Sequence, residues 1–125
     1  MAISPQYIGT AKSPSVTIST ANTNRDGTTG AYGTLMTAGS TGSRVDMIRV
    51  NATGTTTAGM IRFFLGTALI REVPVVAITP SATNPAFFAD VWFDTPLVLE
   101  AASVLKCSTN NAETFAVTIT NGGDF

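Results

Sequence analysis

Cys107 and a scatter of carboxylates are the side chains here with chemistry to offer, and none stands beside the partner that chemistry needs. A thiol or hydroxyl nucleophile requires a base, and the chain contains no His at all. Its many Ser and Thr hydroxyls have no activating Lys at a recognisable spacing. Asp46, Glu72, Asp90, Asp94, Glu100 and Glu113 could in principle supply the two carboxyls of a glycoside hydrolase. Each also reads as a strand-edge residue or the partner of a nearby Arg. A single Cys and no His leave too few ligands for zinc. Asp26 lacks the further carboxylates that a calcium loop carries, so Asn24-Arg-Asp-Gly27 reads as a tight turn. Gly27-Thr-Thr-Gly30 has neither the Lys nor the helix of a phosphate-binding loop. Neither an enzyme nor a cofactor site is expected.

What does stand out is aromatic. In Phe87 to Phe93, alternation puts Phe87, Ala89, Val91 and Phe93 on one face and Phe88, Asp90 and Trp92 on the other. Large rings on both faces imply that one set meets something other than water. Phe88 and Trp92 with Asp90 between them suit two occupants. A sugar ring stacks on such a platform while the carboxylate takes its hydroxyls. Alternatively the rings anchor a protein interface, where Trp and Phe concentrate. The interface is the favoured reading.

These residues must be held by a sheet scaffold. No apolar spacing of three and four persists over a helix-length window, whereas short alternating runs recur between Gly, Asn and Pro turns. Ser15–Thr20, Tyr32–Ala38, Arg44–Ala52, Met60–Leu65, Ala68–Val76, Phe87–Phe93, Val104–Ser108 and Thr114–Thr120 read as strands, with Asp94–Leu97 a turn leading into Val98 and Leu99. Irregular alternation near Asp46 predicts a bulge or burial on both faces there, and Pro74 predicts an edge position or a bulge. Ile61, Phe63 and Leu65 are expected inward with Arg62 outward. About eight antiparallel strands in 125 residues predict an all-β jelly-roll-type sandwich of two four-stranded sheets. An immunoglobulin-like sandwich is the alternative, although its Cys…Trp…Cys pattern is missing.

Residues 1–13, with two Pro and no period, read as an N-terminal arm on a single domain spanning 14–125. Tyr7 and Ile8 are the arm's sizeable anchors, and it either lies on the body or reaches a neighbour. The N-terminus lacks the basic and apolar regions of a signal peptide, and the apolar runs are too short for a transmembrane helix. Seven basic and eight acidic residues give a net charge of -1, so no nucleic-acid or membrane-binding footprint is expected. So little charge on a Thr- and Gly-rich chain suits a surface packed against copies or partners. One Cys makes no intramolecular disulfide, and Cys107 reads as a small buried hydrophobe. Asn51-Ala-Thr53 is formally a glycosylation sequon, best explained by chance in so Thr-rich a chain.

From Asn24 onward the chain resembles a family of small proteins encoded among the structural genes of tailed bacteriophages. The resemblance rests on Asn24-Arg-Asp-Gly27, Gly42-Ser-Arg-Val-Asp46 with Ile48-Arg-Val50, Ala52-Thr-Gly54, Thr57-Ala-Gly-Met60, Arg71-Glu-Val-Pro74 and Gly122-Gly-Asp-Phe125. It covers about 100 residues, and its motifs are structural, not catalytic. Similar small jelly rolls include capsid cement or decoration proteins on the outside of the head shell. The resemblance therefore implies a virion protein on the capsid surface, made in the host cytoplasm. It would bind the major capsid protein and self-associate as a dimer or trimer. Tyr7, Ile8, Phe88, Trp92 and Phe125 are the expected contacts. A neck or tail component and a carbohydrate- or receptor-binding module are the alternatives.

Overall fold

A computed structural model describes residues 8–125. The described residues form nine strands: β1 (Thr10–Ala11), β2 (Ser15–Ile18), β3 (Gly33–Thr37), β4 (Ser43–Ala52), β5 (Gly59–Leu65), β6 (Ala68–Val75), β7 (Phe88–Leu99), β8 (Val104–Thr109) and β9 (Phe115–Asp124). The expectation of an all-β sandwich holds at the level of two packed antiparallel sheets. In the first, β9 pairs with β1 and β2 along one side and β4 on the other, and β4 continues to β7. The second runs β3-β8-β5-β6. From β2 onward, β5 and β6 are the one sequence-adjacent pair hydrogen-bonded to each other; every other connection crosses between sheets. Their two-residue turn, Gly66-Thr67, uses the positive φ of Gly66, as tight hairpins require.

The strand count is nine, one more than expected, because the short β1 adds to the edge of β9. The segment read as a turn at Asp94–Leu97 belongs to the long β7 instead. There the register against β4 jumps from Leu97 opposite Val45 to Trp92 opposite Met47. The irregularity expected near Asp46 is this bulge, with a matching shift against β9. β6, which carries Pro74, pairs with β5 alone and is an edge strand, as a missing N–H demands.

Between the sheets, alternate residues make one core. Ile48 and Val50 of β4, Ile61 and Phe63 of β5, Leu105 and Cys107 of β8, and Phe115, Val117 and Ile119 of β9 are fully buried in it. The Phe87 ring meets Phe115 edge-on at 6.3 Å, an arrangement the ring quadrupoles favour. Cys107 is an ordinary core residue, and burial pushes its thiol up to about 12.

The outer face of the second sheet departs from simple alternation. Phe64 is completely buried although it lies outside the inter-sheet core, and Tyr32 meets its ring edge-on at 5.1 Å. The long β2–β3 connection, residues 19–32, folds back over this face. Arg62 points outward as expected yet is only 3% exposed. It donates to Glu72 Oε2 at 2.9 Å, to the Asn22 carbonyl and to Asn110 Oδ1. Lys106 donates to the Gly27 carbonyl and sits over the Tyr32 ring. Gly27 has φ +73, and a Cβ there would strike the Thr67 backbone, so only glycine lets the loop close onto the β5–β6 turn.

Candidate interaction surface

The first sheet is more open: of its outward-facing residues Met47 is buried, but Arg49, Asn51, Phe88, Asp90 and Trp92 are exposed. Its outer face is built from rows whose members sit opposite one another on adjacent strands. Phe88 of β7 lies opposite Asn51 of β4, Asp90 opposite Arg49, and Trp92 opposite Met47. Continuing across β9 and β2, the same face carries Ala116 and Thr118, then Thr17 and Ser15. Small side chains thus fill the β9 and β2 side of the face, and the large rings stand along its β7 margin.

Phe88 is 61% exposed, Trp92 58% and Val98 61%. All three belong to β7, and they dominate the exposed large hydrophobic side chains among the described residues. The alternation read from sequence is present: Phe87 and Val91 are buried in the core while Phe88, Asp90 and Trp92 face out. Asp90 accepts from Arg49 Nε at 2.8 Å and is within 3.5 Å of its Nη2. The carboxylate raises the Arg49 pKa through that hydrogen bond and its charge. The centre of the patch is therefore an ion pair flanked by two bare rings.

Beside this patch the two sheets end. β6 and β7 leave a shallow groove of about 390 Å³ between them, lined by Arg71, Glu72, Val73, Pro74, Asp90, Val91 and Trp92. Two of the candidate carboxylates, Glu72 and Asp90, meet at this groove. Both are already engaged: Glu72 Oε2 accepts from Arg25 and Arg62, and Asp90 holds Arg49. These hydrogen bonds, Arg25 first, keep the Glu72 carboxyl below its usual range. A general acid needs the opposite shift. Asp46 pairs with Arg44, and Glu113 Oε2 accepts from the Thr57 N–H and hydroxyl. Asp26 accepts from the Thr28 and Thr29 N–H groups and the Thr29 hydroxyl, so it organises the turn read from its sequence.

Of the remaining expected contacts, Tyr7 lies outside the described residues. Ile8 is half-buried against Gly123, where a Cβ would meet its side chain, and the Gly9 N–H bonds the Asp124 carbonyl at 2.8 Å. From Ile8 onward the arm thus runs along the body beside β9. Phe125 is half-buried too. Its N–H donates to the Gly42 carbonyl, its own carbonyl accepts from the Thr41 hydroxyl, and its ring reaches Gly42. Phe88 and Trp92 form one patch; Ile8 and Phe125 belong together at the far end of β9. Sequence reading missed Arg49 as a member of the patch, where a charge centred on one face of an alternating strand was the available signal. Val98, past the β7 bulge, lines a separate hollow with Leu65, Gly66 and Val104.

No known protein family matches the chain, and neither curated proteins nor solved structures show a match to it.

Proposed function

We propose that this chain is a virion structural protein: a jelly roll of the cement or decoration type, bound to the outside of a phage head shell and stabilising it. The observation that carries the reading is the bare Phe88–Trp92 margin on a sandwich whose other outer face is covered by its own loop. An exposed apolar patch of this kind on a small domain marks a docking surface. The jelly-roll assignment is supported by strand order. β2-β9-β4-β7 and β3-β8-β5-β6 are two four-stranded sheets with chain connections that alternate between them, the arrangement of two interlocked Greek keys. An immunoglobulin-like sandwich would keep more sequence-adjacent hairpins within one sheet.

The physical requirements of a cement protein agree with this architecture. Such a protein must be rigid, resist proteolysis and bind in many copies. Its affinity comes from touching several shell subunits at once, so each contact stays modest. The major capsid protein is the expected partner, and the capsid surface the expected location.

The same rings flanking Asp90 also suit a stacked sugar, which keeps a carbohydrate- or receptor-binding module as the second reading. Particles of the phage that encodes the chain decide between them. A copy number comparable to the major shell subunit supports decoration. A dozen copies or fewer moves the protein to the neck, tail or receptor-binding tip. Absence from the particle overturns the virion reading.

A further inference from the structure

We infer that the occupant of the Phe88–Trp92 face is a second copy of this chain, docked face to face about a two-fold axis that runs along the strands between β4 and β7. This rests on the reading of the patch as an interface: the rings close a pair of copies, and the pair then meets the shell through its remaining surface.

The charge pattern selects the axis. On the outer face, Asp90 and Arg49 sit side by side in one row, Asp90 on β7 and Arg49 on β4. A two-fold axis parallel to the strands lays β7 of one copy over β4 of the other and keeps the rows together. Asp90 then faces Arg49 of the second copy and Arg49 faces its Asp90, so both charges gain an opposite neighbour. An axis running across the strands instead sets Asp90 on Asp90 and Arg49 on Arg49. Like charges in an interface oppose binding, so the first arrangement wins. It also sets Trp92 over the Met47 row and Phe88 over the Asn51 row.

The amount of surface is appropriate to the middle of an interface. At 61% and 58% exposure, Phe88 and Trp92 leave about 250 Å² of ring surface to be covered. A stable pair buries about 800 Å² on each partner, with an apolar centre and a polar rim. The rings and the Arg49–Asp90 row between them supply the centre, with Asn51 and Met47 of the facing β4 beneath the rings; because β7 is the edge of its sheet, the contact is confined to β4 and β7 of each copy. Strand-edge pairing is the weaker route to a dimer, because the Trp92 carbonyl on β7 already accepts from Arg71 at 2.6 Å.

Sedimentation equilibrium of the full chain tests this, with circular dichroism on each variant to establish that it is folded. The wild type is expected to be dimeric. Trp92→Ala, the loss of a central aromatic anchor, is expected to weaken association about 30-fold. Arg49→Glu and Asp90→Arg are each expected to be monomeric alone, since each homodimer then opposes like charges. Mixed in equal amounts, those two variants are expected to form a heterodimer. The glutamate introduced at position 49 of one then meets the arginine introduced at position 90 of the other, while the unchanged Asp90 of the first meets the unchanged Arg49 of the second. A monomeric wild type, a dimer indifferent to Trp92→Ala, or a mixture that stays monomeric overturns the inference. So does a monomer that loses glycan binding on Trp92→Ala. A monomer found at high copy number on particles defeats this inference and leaves the virion reading intact; a dimer absent from particles does the reverse.

Discussion

Arg71 Nη2 donates to the Trp92 carbonyl across 2.6 Å, while its guanidinium lies 5.6 Å from the centre of the Phe93 ring. These residues sit on β6 and β7, the unpaired edges of opposite sheets, so a single side chain ties the open side of the sandwich. It also occupies a carbonyl that would otherwise invite another strand. Arg71→Ala is expected to lower stability by about 1 kcal/mol, the loss of one charge-assisted hydrogen bond and a partly exposed cation–π contact. Arg71→Lys should recover only part of it, because an ammonium lacks the planar fork that bonds and stacks at once. Chemical denaturation of the three proteins measures this, and equal stability of all three would remove Arg71 from the role.

The loop over the second sheet is expected to behave as an integral part of the fold. Phe64→Ala empties a fully buried site beneath Tyr32 and should cost about 3 kcal/mol, as for core phenylalanines elsewhere. Gly27→Ala introduces a Cβ against the Thr67 backbone at a positive φ, and is expected to cost about 1–3 kcal/mol. Limited proteolysis should find residues 19–32 resistant in the wild type and cut in Gly27→Ala. Rapid cleavage of the wild-type loop would contradict the packing.

Arg62 poses a different question, because it is a buried cation bridging Glu72, Asn22 and Asn110. Arg62→Ala leaves the Asn22 carbonyl and Asn110 amide without this partner, though Glu72 keeps Arg25. A loss of about 2 kcal/mol is expected, below the value for a fully orphaned buried partner. Arg62→Met, which fills the space without charge, should be distinctly less damaging. A thermal melt series on both variants reads the difference.

Acid should destabilise the protein, and neutral pH changes should not. Asp26 is held below its ordinary 3.8 by the Thr29 hydroxyl and then the Thr29 and Thr28 N–H groups. Lys12 and then Ser43 lower Asp124, and Arg25 and then Arg62 lower Glu72 from 4.5. A carboxyl lowered in the folded state is protonated first in the unfolded chain. Its stabilisation is therefore complete above the unfolded values of 3.8 to 4.5 and is lost as pH falls through the folded ones. With no His, nothing of that type titrates nearer neutrality. Tm is expected to be level from about pH 8 to 6 and to fall below about pH 4.5. Asp26→Asn should be less stable than wild type at pH 7 and converge with it in acid. A Tm that rises on acidification would show the sign to be wrong.

Cys107 should not react with thiol reagents in the folded protein. It is buried in the core and its thiol is pushed up to about 12 by desolvation, so thiolate is scarce at pH 8. Labelling is expected only in denaturant, following the unfolding transition. Stoichiometric labelling of the native chain would mean that β8 opens far below the global unfolding energy.

Local physics settles part of this protein in its sequence. Alternation along β4, β7 and β9 specifies which side chains enter the core, because a strand puts successive residues on opposite faces. Pro74 places β6 at an edge by lacking an N–H, and Asn24-Arg-Asp-Gly27 encodes a turn through short-range hydrogen bonds. Phe88 and Trp92 were legible as a pair for a related reason: they lie on one strand an even number of residues apart. Long-range partnerships were not legible. Nothing near Phe64 in sequence says that Tyr32, thirty-odd positions away, will cover it, or that Arg62 will be buried by a loop that starts at Ser19. The row Asp90–Arg49, the tie from Arg71 to Trp92, and the docking of Phe125 beside Gly42 all depend on strand register. Register is decided when two complete sheets pack and bury their faces together, so only the tertiary structure shows which charges stand beside which rings.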